Sequence, residues 1–188
     1  MTRAASHATP HLATEWACRF AIVLLAFAVR ALGAQDSVVV HPAGWMVGGS
    51  LGMLGFGAQT ASLQLTTLGM HFTHARVGAI GADISIGTIP RLLADGAVVL
   101  GARAGVAMPI RIAPGMLALP SAGLTAIAAA SGGRAASLTG FNLGAALVVG
   151  TGPVGFRSGV TWHRLNDMPS GFWLAEVGIT TIPCGRRR

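Results

Sequence analysis

Apolar side chains recur at every second position over strand-length stretches of this chain. The pattern is clearest in residues 97–112, where every even-numbered position is apolar: Val98, Leu100, Ala102, Ala104, Val106, Met108, Ile110 and Ile112. The odd-numbered positions include Gly101, Arg103, Gly105 and Arg111. Because successive side chains of a β-strand point to opposite faces, this period of two predicts a strand with one apolar face and one small or polar face.

Eight segments of suitable length follow one another along the chain, and six of them alternate usefully. They are Trp45–Phe56, Ser62–Phe72, Gly78–Ile89, residues 97–112, Met116–Ala129, Phe141–Gly150, Val154–Arg164 and Phe172–Ile182. In the second segment the apolar residues change from odd-numbered to even-numbered positions near Thr66 and Thr67, which predicts a β-bulge. The fifth segment has no clean alternation but has the length of a strand.

The connections between these segments alternate in length. Residues 73–76, 113–115 and 151–153 are short, whereas residues 90–96, 130–140 and 165–171 are longer. The first connection, residues 57–61, breaks the trend. Short turns at one end and longer loops at the other are typical of up-and-down membrane barrels.

Composition indicates which face meets the solvent. Charged residues make up 10% of the 188 residues, against about 25% in ordinary soluble domains. This is too few to cover a surface in water, so the apolar face is expected to meet lipid.

A helical membrane protein needs about 20 uninterrupted apolar residues per span, but Pro120 and Pro153 interrupt the longest charge-poor stretches. Closed barrels also satisfy all backbone groups in lipid, with strands of about ten residues. The sequence therefore predicts an all-β fold: a closed antiparallel up-and-down transmembrane β-barrel of eight strands.

Residues 1–34 are predicted to form a cleavable signal peptide. Arg3 and Arg19 supply a positive start, residues 20–29 an apolar core, and residues 31–34 small side chains for cleavage. We expect a short lead-in at 35–43, the barrel at 44–182 and a basic tail at 183–188. Cys18 would be removed with the leader, which leaves Cys184 without an intrachain partner.

The net charge of +7 does not indicate nucleic-acid binding. Removal of residues 1–34 leaves ten arginines against five acidic residues, and residues 186–188 hold three of those arginines. The rest of the chain is nearly neutral and has no basic patch. We therefore expect membrane lipid, and no nucleic acid, as a partner.

A signal peptide, about 154 mature residues and eight alternating strands resemble the small eight-stranded outer-membrane β-barrel proteins. These are the outer membrane protein X type and the barrel domain of outer membrane protein A, and the resemblance covers residues 44–182. It implies a location in the outer membrane of a Gram-negative envelope and contact with the outer-membrane assembly machinery.

The polar phase of the strands places several ionisable residues in the predicted lumen. They are Asp83, Arg103, Arg111, Arg157, His163 and Glu176, joined by Thr161. An eight-stranded barrel is just wide enough for side chains to fill, and buried charges need partners. We expect a structural polar network, with an ion pair between Arg157 and Glu176 on neighbouring strands. The alternative is a narrow ion or proton path through the same residues.

No candidate site for catalysis, metal or cofactor is convincing. His163, Asp167 and Ser170 lie near one predicted outer loop, but His163 is predicted to point inward. His71 and His74 lie three residues apart and diverge on a strand, and the glycines do not form a phosphate-binding loop. We expect a non-enzymatic protein without cofactors.

Three functions remain open at this point. The first is a structural or interaction role for an outer-membrane barrel. The second is a soluble periplasmic barrel with an apolar lumen that binds an apolar ligand. The third is a narrow channel.

Overall fold

The computed structural model describes residues 43–56 and 65–183, and in these ranges the chain is almost entirely strand. The elements in chain order are β1 (Ala43–Phe56), β2 (Leu65–Arg76), β3 (Gly81–Thr88), α1 (Pro90–Ala94), β4 (Ala97–Ala107), β5 (Ile110–Ala113), β6 (Met116–Ser131), β7 (Arg134–Val149), β8 (Val154–Leu165) and β9 (Phe172–Thr181). Among the described residues, no helix is long and apolar enough to cross a membrane.

The strands close into a barrel. Each pairs antiparallel with its neighbours in the order β4-β3-β2-β1-β9-β8-β7-β6, and pairing of β4 with β6 closes the ring. The short β5 continues the line of β4, because both pair with β6 in one register as far as Arg111, and the register shifts between Arg111 and Ala113. The break between them falls at Met108 and Pro109, where the proline has no N–H to donate to the ladder. The strand predicted at residues 97–112 is thus divided into β4 and β5, which follow each other along one line of the barrel. The predicted number of eight strands around the barrel is confirmed.

The two ends of the barrel differ. One, the turn end, holds residues 77–80, 114–115 and 150–153. The other, the loop end, holds α1, residues 166–171 and the hairpin between β6 and β7. That hairpin turns through Gly132 and Gly133 alone, and both have positive φ, at 56° and 76°. Two such residues in succession form the hairpin turn whose twist matches that of the flanking strands.

The outer face of the barrel is apolar around its circumference. The exposed side chains include Leu51, Met53, Leu68, Met70, Ile84, Ile86, Val98, Leu100, Val106, Leu124, Leu143, Val160 and Ile179. Leu124, in the middle of β6, is 70% exposed. A soluble barrel with an apolar lumen requires the opposite orientation, which the exposed apolar side chains of the outer face do not fit.

Aromatic side chains gather near the loop end of the outer face. Trp162 and Trp173 are directly paired across β8 and β9, as expected for residues flanking one loop. Their ring centroids lie 6.5 Å apart, and Phe141 lies 5.5 Å from Trp162 in an edge-to-face arrangement. Aromatic residues form such girdles where membrane barrels meet the interface.

Three local predictions are wrong. Residues 73–76, predicted as a turn, belong to β2, and the side chains of Thr73 and Ala75 are fully buried. Residues 130–140, predicted as a loop, are mostly the ends of β6 and β7, which pair from Ser131 and Arg134 down to the turn end. No bulge interrupts β2, because its register with β1 is continuous.

The turn end of the barrel interior is filled by an apolar cluster, the basal plug. It consists of Met46, Ala75, Leu117, Leu119, Val148 and Ile182, with Ala146 packed against it. Met46 is completely buried and Leu119 is 2% exposed. In the basal plug, apolar side chains of these strands therefore face inward.

Several predictions fall on residues outside the described ranges. They are the signal peptide at 1–34, the lead-in up to residue 42, the connection at 57–61, Cys184 and the arginines of the tail.

Candidate functional site

The middle of the lumen holds the buried polar residues. Of the predicted set, Asp83, Arg103, Arg157 and His163 are buried at 7% exposure or less, and the side chain of Glu176 is 15% exposed. Arg111 lies elsewhere: it lines a small cavity near the turn end, together with Leu117, Val148 and Ile182. We refer to the polar residues between the basal plug and the loop end as the polar cluster.

Arg103 on β4 is the centre of the polar cluster. Its guanidinium lies 3.7 Å from the carboxylate of Glu176 and 3.9 Å from that of Asp83, and it donates a hydrogen bond to the Thr161 hydroxyl. Thr161 is on β8, on the far side of β6 and β7. Arg103 therefore ties together walls that are not neighbours in the sheet.

Arg157 on β8 also reaches across the lumen. It donates a hydrogen bond of 3.2 Å to the hydroxyl of Thr73 on β2, and this hydroxyl donates to Asp83 at 2.6 Å. Two arginines and two carboxylates thus share the polar cluster, so its formal charges cancel. Pairing balances charges that would be costly to bury alone.

The predicted ion pair between Arg157 and Glu176 is not formed. In the register of β8 and β9, Arg157 lies opposite Gly178 and Glu176 opposite Gly159. The two side chains are therefore diagonal neighbours, offset by two residues along the hairpin, where spacing is about 7–8 Å. The Glu176 carboxylate accepts instead from Ser50, at 3.1 Å, and lies beside Arg103.

A second chain of hydrogen bonds fixes His163. The amide of Asn142 donates to the Thr125 hydroxyl, and that hydroxyl lies 2.9 Å from Nδ1 of His163. The hydroxyl of Thr125 has one proton and two lone pairs, so beside the bond from Asn142 it pairs with Nδ1 of His163 in either tautomer of the imidazole. The imidazole stacks on Phe172 with ring centroids 4.7 Å apart.

Several members of the polar cluster were not predicted from the sequence. They are Ser50, His71, Thr73, Thr125 and Asn142, all buried. Each lies at a position where the side chain points into the lumen, so the alternation of side chains along its strand could have identified it.

Three buried nitrogens have no hydrogen-bond partner within the described ranges: His71 Nε2, Arg103 Nε and His163 Nε2. Two of these residues, Arg103 and His163, line a cavity of about 90 Å³ between the polar cluster and the loop end. We call it the outer cavity. Its other side chains are mainly apolar, and they include Leu54, Ile89, Val99, Ile127, Phe172 and Leu174.

The other candidate groups from the sequence are not brought together. His163 is buried in the lumen, whereas Asp167 and Ser170 are exposed in the loop before β9. His71 faces the lumen, and His74 lies in the opposite phase, with its ring 5.3 Å from that of Trp45. The part of the chain described by the structure contains no group of three metal-ligating side chains.

Comparison with solved structures places this architecture among known folds. Neisserial surface protein A, NspA, is 12% identical, with a TM-score of 0.55 over 75% of this chain and 98% of its own. Ail of Yersinia pestis is 12% identical, with a TM-score of 0.53 over 76% of this chain and 98% of its own. The outer membrane protein OprG of Pseudomonas aeruginosa is 11% identical, with a TM-score of 0.53 over 79% of this chain and the whole of its own.

The fold is that of the small eight-stranded outer-membrane β-barrels. The expected resemblance is therefore confirmed at the level of the fold, over the full length of these neighbours. No protein-family model and no curated protein matches the sequence.

Proposed function

We propose that this protein is an integral outer-membrane β-barrel with a structural or interaction role, without catalytic activity and without a conducting pore. The observation that carries the proposal is the apolar outer face, with Leu100, Leu124 and Ile179 all more than half exposed. Hydrocarbon chains of lipid are the solvent that such a surface requires.

The proposed route to the membrane involves export and assisted insertion. The signal-like pattern of residues 1–34 supports export, and the barrel architecture supports insertion by the outer-membrane assembly machinery. In this orientation the short turns face the periplasm and the loop end faces outward. The tip of the β6–β7 hairpin, where residues 128–137 are all exposed, is then available for contact with external partners.

The contents of the lumen support a closed barrel. The basal plug fills the turn end with apolar side chains, including the fully buried Met46. Above it, Arg103 and Arg157 cross-link opposite walls. Ions would have to cross the apolar plug without compensation for their lost hydration, which disfavours a channel. We propose that the polar cluster holds the walls of the barrel in register.

Gel mobility of the outer-membrane fraction tests the proposal. Folded barrels in SDS run differently before and after boiling, so we expect a band that shifts on boiling. A soluble protein with an unshifted band would contradict the membrane location. The purified barrel in planar bilayers should give no discrete conductance steps, and regular steps would contradict the closed lumen.

A further inference from the structure

We propose that Arg164 and the aromatic side chains next to it on the outer face form a binding site for the phosphate head group of an anionic membrane lipid. The proposal rests on the membrane location proposed above, and it adds the class of lipid that this part of the surface selects. We call Phe141, Trp162 and Trp173 the aromatic cluster.

Arg164 lies at the loop end of the outer face. His163 and Leu165 are buried on the inner face of β8. Arg164 lies between them in the strand, so its side chain points outward, as that of Trp162 does. Arg164 is one outward position nearer to the loop end than Trp162, a distance of about 7 Å along the strand. Because aromatic girdles mark the membrane interface, the guanidinium reaches the level of the lipid head groups.

The guanidinium of Arg164 is held in place but not neutralised. Its Nη1 donates a hydrogen bond of 2.8 Å to the backbone oxygen of Pro169, in the loop before β9. Asp167 lies in the same loop, but no carboxylate of the described residues forms an ion pair with Arg164. A guanidinium has five N–H donors and binds two phosphate oxygens at once. Arg164 can therefore bind a phosphate and keep its hydrogen bond to the loop.

The surface between Arg164 and the middle of the membrane fits the rest of a lipid molecule. Phe141 lies directly opposite Arg164 in the pairing of β7 with β8, and its ring meets that of Trp162 edge to face. The next outward positions on these strands are Leu143 and Val160, which are 53% and 47% exposed. A lipid whose phosphate binds Arg164 therefore has an apolar surface for its acyl chains.

The uncompensated charge of Arg164 favours an anionic lipid over a zwitterionic one. In phosphatidylcholine an ammonium group balances the phosphate, and this group would lie near the guanidinium. In phosphatidylglycerol the charge of the phosphate has no such partner, so its attraction to Arg164 is stronger. One arginine near a membrane surface is expected to favour the anionic lipid about fivefold.

The test uses the full-length protein in vesicles and the quenching of tryptophan fluorescence by brominated lipids. Trp16→Phe and Trp45→Phe leave Trp162 and Trp173 as the emitting residues. All vesicles contain the same proportions of phosphatidylglycerol and phosphatidylcholine, and only the brominated species differs, so the surface charge is constant. We expect phosphatidylglycerol to bind about fivefold more strongly near the two tryptophans. The preference should fall as salt is raised, because salt screens exposed charges.

Arg164→Gln separates lipid binding from a role in holding the loop. The glutamine amide can still donate to the Pro169 oxygen but has no charge, so we expect the lipid preference to disappear. Arg164→Lys keeps the charge and should keep most of the preference. Arg91→Gln is the matched control and should leave it unchanged, because this exposed arginine is on α1, across the barrel from β8.

Several results would overturn the site. They are an equal preference in Arg164→Gln and the parent protein, loss of the preference in Arg91→Gln, and a preference that salt does not change. The salt dependence needs no variant, and the boiling-dependent gel shift checks that each variant has folded. Inorganic phosphate at constant ionic strength should not displace the lipid, and displacement would mean that Arg164 binds free phosphate instead.

The quenching experiment also distinguishes failure of the site from failure of the proposed membrane location. Quenching by both brominated lipids without a preference would overturn the site alone. Absence of quenching by either lipid would overturn the membrane location, and the site with it.

Discussion

Removal of the Arg103 guanidinium should destabilise the barrel more than any other single change to the polar cluster. Arg103→Met keeps much of the side-chain volume and removes the charge. Asp83 keeps its hydrogen bond from Thr73, and Glu176 keeps its bond from Ser50. Both carboxylates nevertheless lose the cation beside them, and the formal charge of the cluster changes from balanced to −1.

The size of the effect follows from burial. Removing one partner of a buried ion pair costs about 3–5 kcal/mol. Asp83 is 3% exposed, but the Glu176 side chain is 15% exposed and lies 3.7 Å from Arg103. Because the Glu176 carboxylate is partly exposed to water and both ion pairs of Arg103 have long N···O distances, we expect the unfolding free energy to fall by the lower end of this range, about 3 kcal/mol.

The assay is urea unfolding of the barrel in lipid vesicles, followed by tryptophan fluorescence. Glu176→Gln in the Arg103→Met background removes the excess negative charge and should restore about 1 kcal/mol, since the two residues are coupled. Arg134→Met, at the exposed start of β7, is the matched control and should change the unfolding free energy by less than about 0.5 kcal/mol. If Arg103→Met unfolds like Arg134→Met, or if Glu176→Gln gives no rescue, the proposed network does not stabilise the barrel.

Three further predictions concern the walls and the loop end. Leu51→Arg should lower the unfolding free energy in vesicles by about 2–4 kcal/mol, since Leu51 is 56% exposed on the outer face of β1, between Leu68 and Val177 and away from the aromatic girdle, whereas Leu51→Met should be nearly neutral. Gly105→Ala should reduce the fraction of boiling-sensitive barrel, because a Cβ there would meet the backbone of Gly123 at 2.6 Å, whereas Gly101→Ala has its nearest neighbour at 3.9 Å. An epitope inserted between Gly132 and Gly133 should be bound by antibody on intact cells, and binding only after cell lysis would reverse the proposed orientation.

Alternation of apolar residues was sufficient to predict most of the walls. It succeeded where the two faces differ strongly in chemistry, as in β4, where Arg103 alternates with apolar neighbours. It failed at the ends of β6 and β7, because residues 126–136 are mostly small and all but residue 127 are exposed on both faces, so no contrast marks them as strand. It also failed near Thr66, where the apparent change of phase is not a bulge in the register of β1 and β2.

The lumen was less predictable than the walls. Asp83, Arg103, Arg157 and His163 are buried and lie in the predicted inward phase of their strands, but partners across the barrel depend on strand tilt and register. For this reason the contacts of Arg103 with Thr161 on β8, and of Arg157 with Thr73 on β2, had no sequence signal. The basal plug was missed because its apolar residues occupy inward positions, where alternation with an apolar outer face predicts small and polar side chains.

The most direct test of the central claim is the accessibility of spin labels along β4 in lipid vesicles. Single cysteines at residues 98–106, introduced into a background without Cys18 and Cys184, would each carry one label. Oxygen, which concentrates in lipid, should relax the labels at the even positions Val98 to Val106 strongly and those at the odd positions weakly. A profile without a period of two, or with the highest values at Arg103 and its odd-numbered neighbours, would contradict a barrel whose apolar face meets lipid.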